Sequence, residues 1–144
     1  VGPSLKAIEN VRVLGPVRKN TQVEISRTDT FILKVSPPVR PSGKIEGSER
    51  IVLVGPKGSI YLKEGVIIAN RHIHLTPEYA QRHDIQDNDY VDVLVEGIKP
   101  TKFYDVQVRV RDDFNIEMHI DTDDANSAGL KNGALVTIIK KNNK

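Results

Sequence analysis

A mainly β chain, folded as two small pseudo-twofold-related β-barrels with short capping α-helices, is the class that three features of this sequence predict. The first is composition. In 144 residues, 17 Val and 15 Ile stand against 6 Ala and 9 Leu. β-Branched side chains are stiff at χ1 and pack well on a pleated surface, so this balance favours strands. The second is the alternation of apolar and polar residues over positions 8–14, 22–25, 91–95, 106–110 and 136–139, the period of a half-buried strand. The third is an internal repeat. Val1, Gly2 and Pro3 lead to Arg18 at the same separation, 17 residues, at which Val54, Gly55 and Pro56 lead to Arg71. Between these points Ile8, Val13 and Leu14 align with Tyr61, Val66 and Ile67 without a gap. Two copies indicate two similar units, not a solenoid, which needs three or more.

The elements follow in order. The first copy opens inside its motif, whereas Ile51, Val52 and Leu53 supply a strand ahead of the second. The first barrel, residues 1–65 with a linker, is therefore expected to lack its N-terminal part. A chain starting at Val1 agrees with that expectation. Ser26 is placed to cap a helix ending near Leu33. Residues 37–47, rich in Pro and Gly, read as a loop or linker. The second barrel, residues 66–144, begins with an apolar strand over 66–69 that His72, Ile73 and His74 close. Thr76 caps a short helix with Pro77 in its first position and Glu78 in its first turn, running to about His83. Asp87, Asn88 and Asp89 form a turn into Tyr90, and Lys131, Asn132 and Gly133 a turn into Ala134. Asp121 or Thr122 caps a last helix that Gly129 stops. The basic residues at 140–144 read as a solvated tail.

Charge and composition exclude several functions. The net charge of +2 is too small to argue for a polyanion, and 3 Phe and 4 Tyr without Trp offer no base-stacking surface, so no nucleic-acid partner is expected. An anionic small molecule can still meet local Arg or Lys. With no cysteine there is no disulfide, thiolate ligand or Cys nucleophile, which suits a reducing cytoplasm. No apolar run approaches the roughly 20 residues of a membrane span.

His72 and His74 project to one face of their strand, a bidentate claw for Zn²⁺ or a similar ion, or else a polar strand end. Glu117, His119 and Asp121 share a face in the same way, and His119 would bring a third imidazole. Its alternative is a strand face that meets water. Glu24, between Val23 and Ile25, is either a carboxylate ligand or an exposed edge residue. Arg18 and Arg71 occupy equivalent places in the repeat, and either can grip a phosphate through its planar fork or form a surface ion pair. Arg109 and Arg111 are weaker candidates for that role. His83, near a helix end, reads as structural.

Three longer motifs go further. The run from Glu9 to Pro16 with that from Gln22 to Asp29, the run from Val54 to Gly58, and Arg71 to His74 with Glu117 to Asp123 together resemble the PduL-type phosphate propanoyltransferases, or phosphotransacylases. The resemblance covers essentially the whole chain. It implies reversible transfer of a short acyl group, propanoyl or acetyl, between coenzyme A and inorganic phosphate. It implies two β-barrels and two zinc ions, with Glu24, His72, His74 and His119 as metal ligands and Arg18 for the phosphate. Family members carry a further His-x-His motif upstream, which this chain does not contain. At most one well-held zinc and little or no turnover are therefore expected of this piece if that segment is absent, and an active parent protein if it is present there. The resemblance also implies acyl-CoA and phosphate as partners, leaves a homodimer open, and places the protein in the cytoplasm or inside a bacterial microcompartment beside shell or lumen proteins. Two alternatives stand beside it. One is a non-catalytic β-barrel binding or assembly module, since its turn-plus-strand pieces also resemble swapped or double-psi barrels. The other is metal-assisted hydrolysis at the same residues.

Overall fold

The β-branched composition is realised as strand. The computed structural model describes residues 1–141, and among these are nine strands and three short helices. The chain divides into two compact units, Val1–Ala69 and a second from Asn70 onward.

In the first unit one long strand serves as the spine. We number the elements β1 (Val23–Glu24), α1 (Arg27–Leu33), β2 (Val39–Arg40), β3 (Glu49–Gly55) and β4 (Gly58–Ala69). β3 and the first half of β4 form an antiparallel hairpin, from Gly55 opposite Gly58 to Ile51 opposite Leu62. The register then shifts between Glu49 and Ile51, and Gly65 lies in the slack with φ +133°. Its N–H donates to Ser48 Oγ at 2.8 Å, and a Cβ built on it would lie 2.8 Å from the Thr21 carbonyl oxygen. Both the backbone angle and the close approach require glycine at this bulge. Beyond it, β4 pairs in parallel with β1 and β2. Val66 and Ile67 are fully buried there, and Val66 packs with Leu33, Val35 and Ile51. The α1 helix starts at Ser26 as the sequence indicates. Ser26 Oγ accepts the Asp29 N–H at 3.2 Å, and the Asp29 carboxylate accepts the Ser26 N–H at 2.9 Å, a capping box.

Three expectations are corrected here. Residues 8–14 form no strand: Val13 and Leu14 are 93% and 76% exposed, whereas their repeat counterparts Val66 and Ile67 are buried. Alternation marks a face that a sheet could bury, but among the described residues no strand pairs with this segment, and an unpaired strand has no ladder. The stretch 37–47 is not a linker between units. It lies within the first unit and contributes β2. Finally, His72 to His74 do not close the strand of residues 66–69, because β4 ends at Ala69 and a new strand starts at His72 in another sheet.

The second unit contains β5 (His72–Leu75), α2 (Pro77–Arg82), β6 (Tyr90–Val95), β7 (Thr101–Val110), β8 (Glu117–His119), α3 (Thr122–Ala128) and β9 (Thr137–Ile139). Its sheet, curled as a half-barrel, has the order β8-β5-β7-β6-β9. Alternate residues of these strands, among them Ile73, Leu75, Val91, Val93, Val106 and Val108, form one core with Ala80 of α2 and Ala128 of α3. Thr76 and Asp121 cap α2 and α3, and Gly129 ends α3 in the left-handed conformation. The basic end is not wholly a solvated tail. Lys140 bonds Asp84, and Lys141 bonds Asp105 and approaches Asp92 at 3.6 Å. Residues 142–144 of that expectation lie outside the described residues.

Asp92 is a buried acid on β6, held by Lys102 Nζ at 3.0 Å and by the Asp105 N–H at 3.4 Å. The Lys102 hydrogen bond, acting against burial, holds its carboxyl below the ordinary 3.8. As pH falls, the unfolded chain therefore takes up this proton before the folded chain does. The stabilisation is complete above 3.8 and is lost as pH falls through the folded value. Urea midpoints measured from about pH 6 to about pH 3 should fall in the acid range, and less steeply in Asp92→Asn than in the parent.

Candidate metal centre

Strand register builds the centre. β5 lies between β7, which runs parallel to it, and β8, which runs antiparallel. Ile73 is opposite Val108 on one side and Met118 on the other, and these three face the core. The opposite face carries the pairs of His72 and His74, because side chains alternate along a strand. One row is Glu117, His74 and Arg109, and the next is His119, His72 and Gln107. Three of the four histidines in the sequence thus stand on one patch of sheet.

The rings are close. His72 and His119 stack at 5.0 Å between centroids, His74 lies 4.4 Å from His119 and 5.0 Å from His72, and Phe114 stacks on His74 at 3.8 Å. One ligand atom from each of His74, Glu117 and His119 lies within 4.8 Å of the other two. Burial, and then the neighbouring His119 and His72, push the His74 imidazole down to about 4. It is thus unprotonated at neutral pH, the form a cation requires. His72 Nδ1 lies 3.0 Å from the Asn70 carbonyl oxygen. A carbonyl only accepts, so in the neutral ring this contact selects the tautomer protonated at Nδ1, which leaves the lone pair on Nε2. Imidazoles with a nearby carboxylate form a nitrogen and oxygen donor set that suits Zn²⁺.

The other expected residues belong to the first unit. Glu24 Oε1 accepts from Gln22 Nε2 at 2.6 Å, the same nitrogen lies 2.9 Å from Ser42 Oγ, and Arg18 Nη1 reaches that hydroxyl at 3.4 Å. Arg18 also lines a shallow cavity of about 190 Å³ with Lys19, Asn20, Gln22 and Gly43. Two adjacent cations at a hollow suit an anion. The repeat's other arginine is engaged: Arg71 pairs with Asp124 at 3.1 Å and lies over Phe103. Arg111 pairs with Asp113. Arg109, half-buried beside His74, meets no carboxylate within ion-pair distance among the described residues. His83 meets Tyr79 in a tilted contact, 4.2 Å between ring centroids, outside the cluster.

Sequence reasoning placed Glu117 on the His119 face but did not take it as a ligand. It did not find Phe114 or Gln107, which only the pairing of β5 with β7 and β8 brings near the histidines, or Asn70, whose role is a backbone contact with His72 two residues on.

A polyimidazole centre on a small, mainly β scaffold is therefore the class that fold and site define. Comparison with known proteins gives the family. The family model for phosphate propanoyltransferase matches residues 1–131. Proteins named phosphate propanoyltransferase from Thermotoga maritima, Lachnoclostridium phytofermentans and Listeria monocytogenes are 57%, 55% and 48% identical to this chain. Those alignments cover 97%, 96% and 98% of it, and 67%, 65% and 66% of the relatives. This chain belongs to the phosphate propanoyltransferase family, and it spans about two thirds of the length of the curated relatives it matches.

Proposed function

We propose that these residues serve a zinc-dependent phosphate acyltransferase, in which acyl-CoA and inorganic phosphate give acyl phosphate and free CoA, reversibly. The observation that carries this reading is the face formed by His72, His74 and His119, in a chain whose relatives are named for that transfer. His72, His74 and His119 would hold a zinc ion, with Glu117 the carboxylate nearest to them. Glu24 is the carboxylate ligand proposed from the first unit. Bound zinc would supply Lewis acidity at the thioester carbonyl and offset the charge of the departing thiolate.

The chain's own groups have narrower roles. Arg18 and the hollow around it hold phosphate, so that its oxygen meets the thioester carbon as the C–S bond breaks. No cysteine is present to carry an acyl group, so direct transfer between the two bound substrates is the proposed route. The preferred acyl group is propanoyl or acetyl, which differ by a methylene worth only about 1–3 kcal/mol to a pocket.

The test is thioester consumption, followed as released thiol with and without phosphate, in a chain of the relatives' full length. Phosphate-dependent release supports transfer, whereas release that does not need phosphate supports hydrolysis. In the same assay Arg18→Ala should raise the KM for phosphate about 10–100-fold, the value of a charge-assisted hydrogen bond, and leave the KM for acyl-CoA unchanged. Unaltered phosphate kinetics would remove Arg18 from the site.

A further inference from the structure

A buried amide chain borders the histidines on their own face of the sheet. Gln107 lies opposite His72 on β7 and is only 7% exposed, between Val106 and Val108, which are fully buried. Its Oε1 accepts from Asn70 Nδ2 at 2.9 Å, and its Nε2 donates to Asn88 Oδ1 at 3.0 Å. Asn70 in turn supplies, through its backbone carbonyl, the oxygen that lies 3.0 Å from His72 Nδ1. Asn70 Oδ1 is buried and has no hydrogen-bond partner among the described residues. The Asn70 amide is therefore held through its Nδ2 alone, by Gln107. Leucine or valine would fill this β7 position at less desolvation cost than an amide does.

We propose that Gln107 is a positioning residue for His72. By fixing Asn70 it aims the carbonyl that keeps the proton on Nδ1, so that Nε2 presents its lone pair on the face shared with His74 and His119. The proposal rests on the reading of that face as a zinc centre. The orientation of a ligand imidazole is commonly set by the hydrogen bond that its other nitrogen makes, and loss of such a partner weakens metal binding about 10–100-fold.

The test uses the chain without metal and then with zinc. Long-range ¹H–¹⁵N correlation of the imidazoles at about pH 8 reports which nitrogen of His72 carries the proton. Zinc affinity is then read by competition with a chromophoric chelator. Gln107→Met keeps the volume and removes both amide bonds. It should move His72 away from the Nδ1–H tautomer and weaken zinc binding about 10–100-fold. Gln107→Glu keeps an acceptor for Asn70 Nδ2 and should restore both readouts towards the parent values. If Gln107→Met does not fold, Asn70→Ser removes the same amide from a less buried position and should shift the tautomer in the same direction. A parent tautomer and parent affinity in a folded Gln107→Met chain would overturn the proposal. A shifted tautomer in a protein whose parent binds no zinc would uphold the positioning role and overturn the zinc reading instead.

Discussion

His74→Ala should bind zinc at least about a hundredfold more weakly than the parent chain, and the same change at the relatives' full length should abolish phosphate-dependent thioester turnover. His74 is the centre of the cluster. Its ring lies 4.4 Å from His119 and 5.0 Å from His72, stacks on Phe114, and shares a possible ligand group with Glu117 and His119. Stability provides an independent readout, because a cation that binds only the folded form stabilises it by about 2.7 kcal/mol at 100 times its Kd. Chelator should therefore lower the melting temperature of the parent chain and leave that of His74→Ala unmoved. His83→Ala removes an imidazole that packs on Tyr79 outside the cluster, and should keep the zinc. A parent chain that carries no zinc and melts identically with and without chelator would favour the non-catalytic module.

The second large effect is structural. Gly65→Ala should destabilise the first unit by roughly 3 kcal/mol. The left-handed side of the backbone map costs a residue with a Cβ about 1–3 kcal/mol, and forced overpacking costs a similar amount. The obstacle is the Thr21 carbonyl oxygen, 2.8 Å from the added carbon, and backbone cannot rotate away as a side chain can. Gly43→Ala in the same unit separates the two terms. Its φ is +95°, but no atom lies within 4 Å of its added Cβ, so only the conformational cost should be seen. Urea unfolding of both variants, followed by exchange of the Val66 amide, measures the difference. Equal midpoints would show that the Thr21 contact is readily relieved.

How much of this was legible depends on the range of the interaction concerned. The three helices were readable because their signals are local. Ser26 with Asp29, Thr76 with Pro77, and Asp121 with Gly129 each act within a turn or two. Strands within apolar alternation were readable at 91–95 and 106–110, where neighbours bury them. The same pattern failed at 8–14, because alternation states what a strand could bury and not whether a second strand is present. The His-x-His face followed from the two-residue period of a strand. That His119 stands beside His72, and Gln107 on its other side, required the pairing of β5 with two distant segments, which no local pattern encodes.

That pairing also sets an order of events in time. His72 and His74 are neighbours in the chain, whereas 45 residues separate His74 from His119. Of the three imidazoles of this face, only His72 and His74 are near one another in an unfolded chain, and His119 joins them when β8 pairs with β5. Closing so long a loop is an entropic cost met before any reward from the third ligand. A cation that needs all three imidazoles would therefore have to wait for β8 to dock beside β5, an event of the sheet and not of the ion's own chemistry.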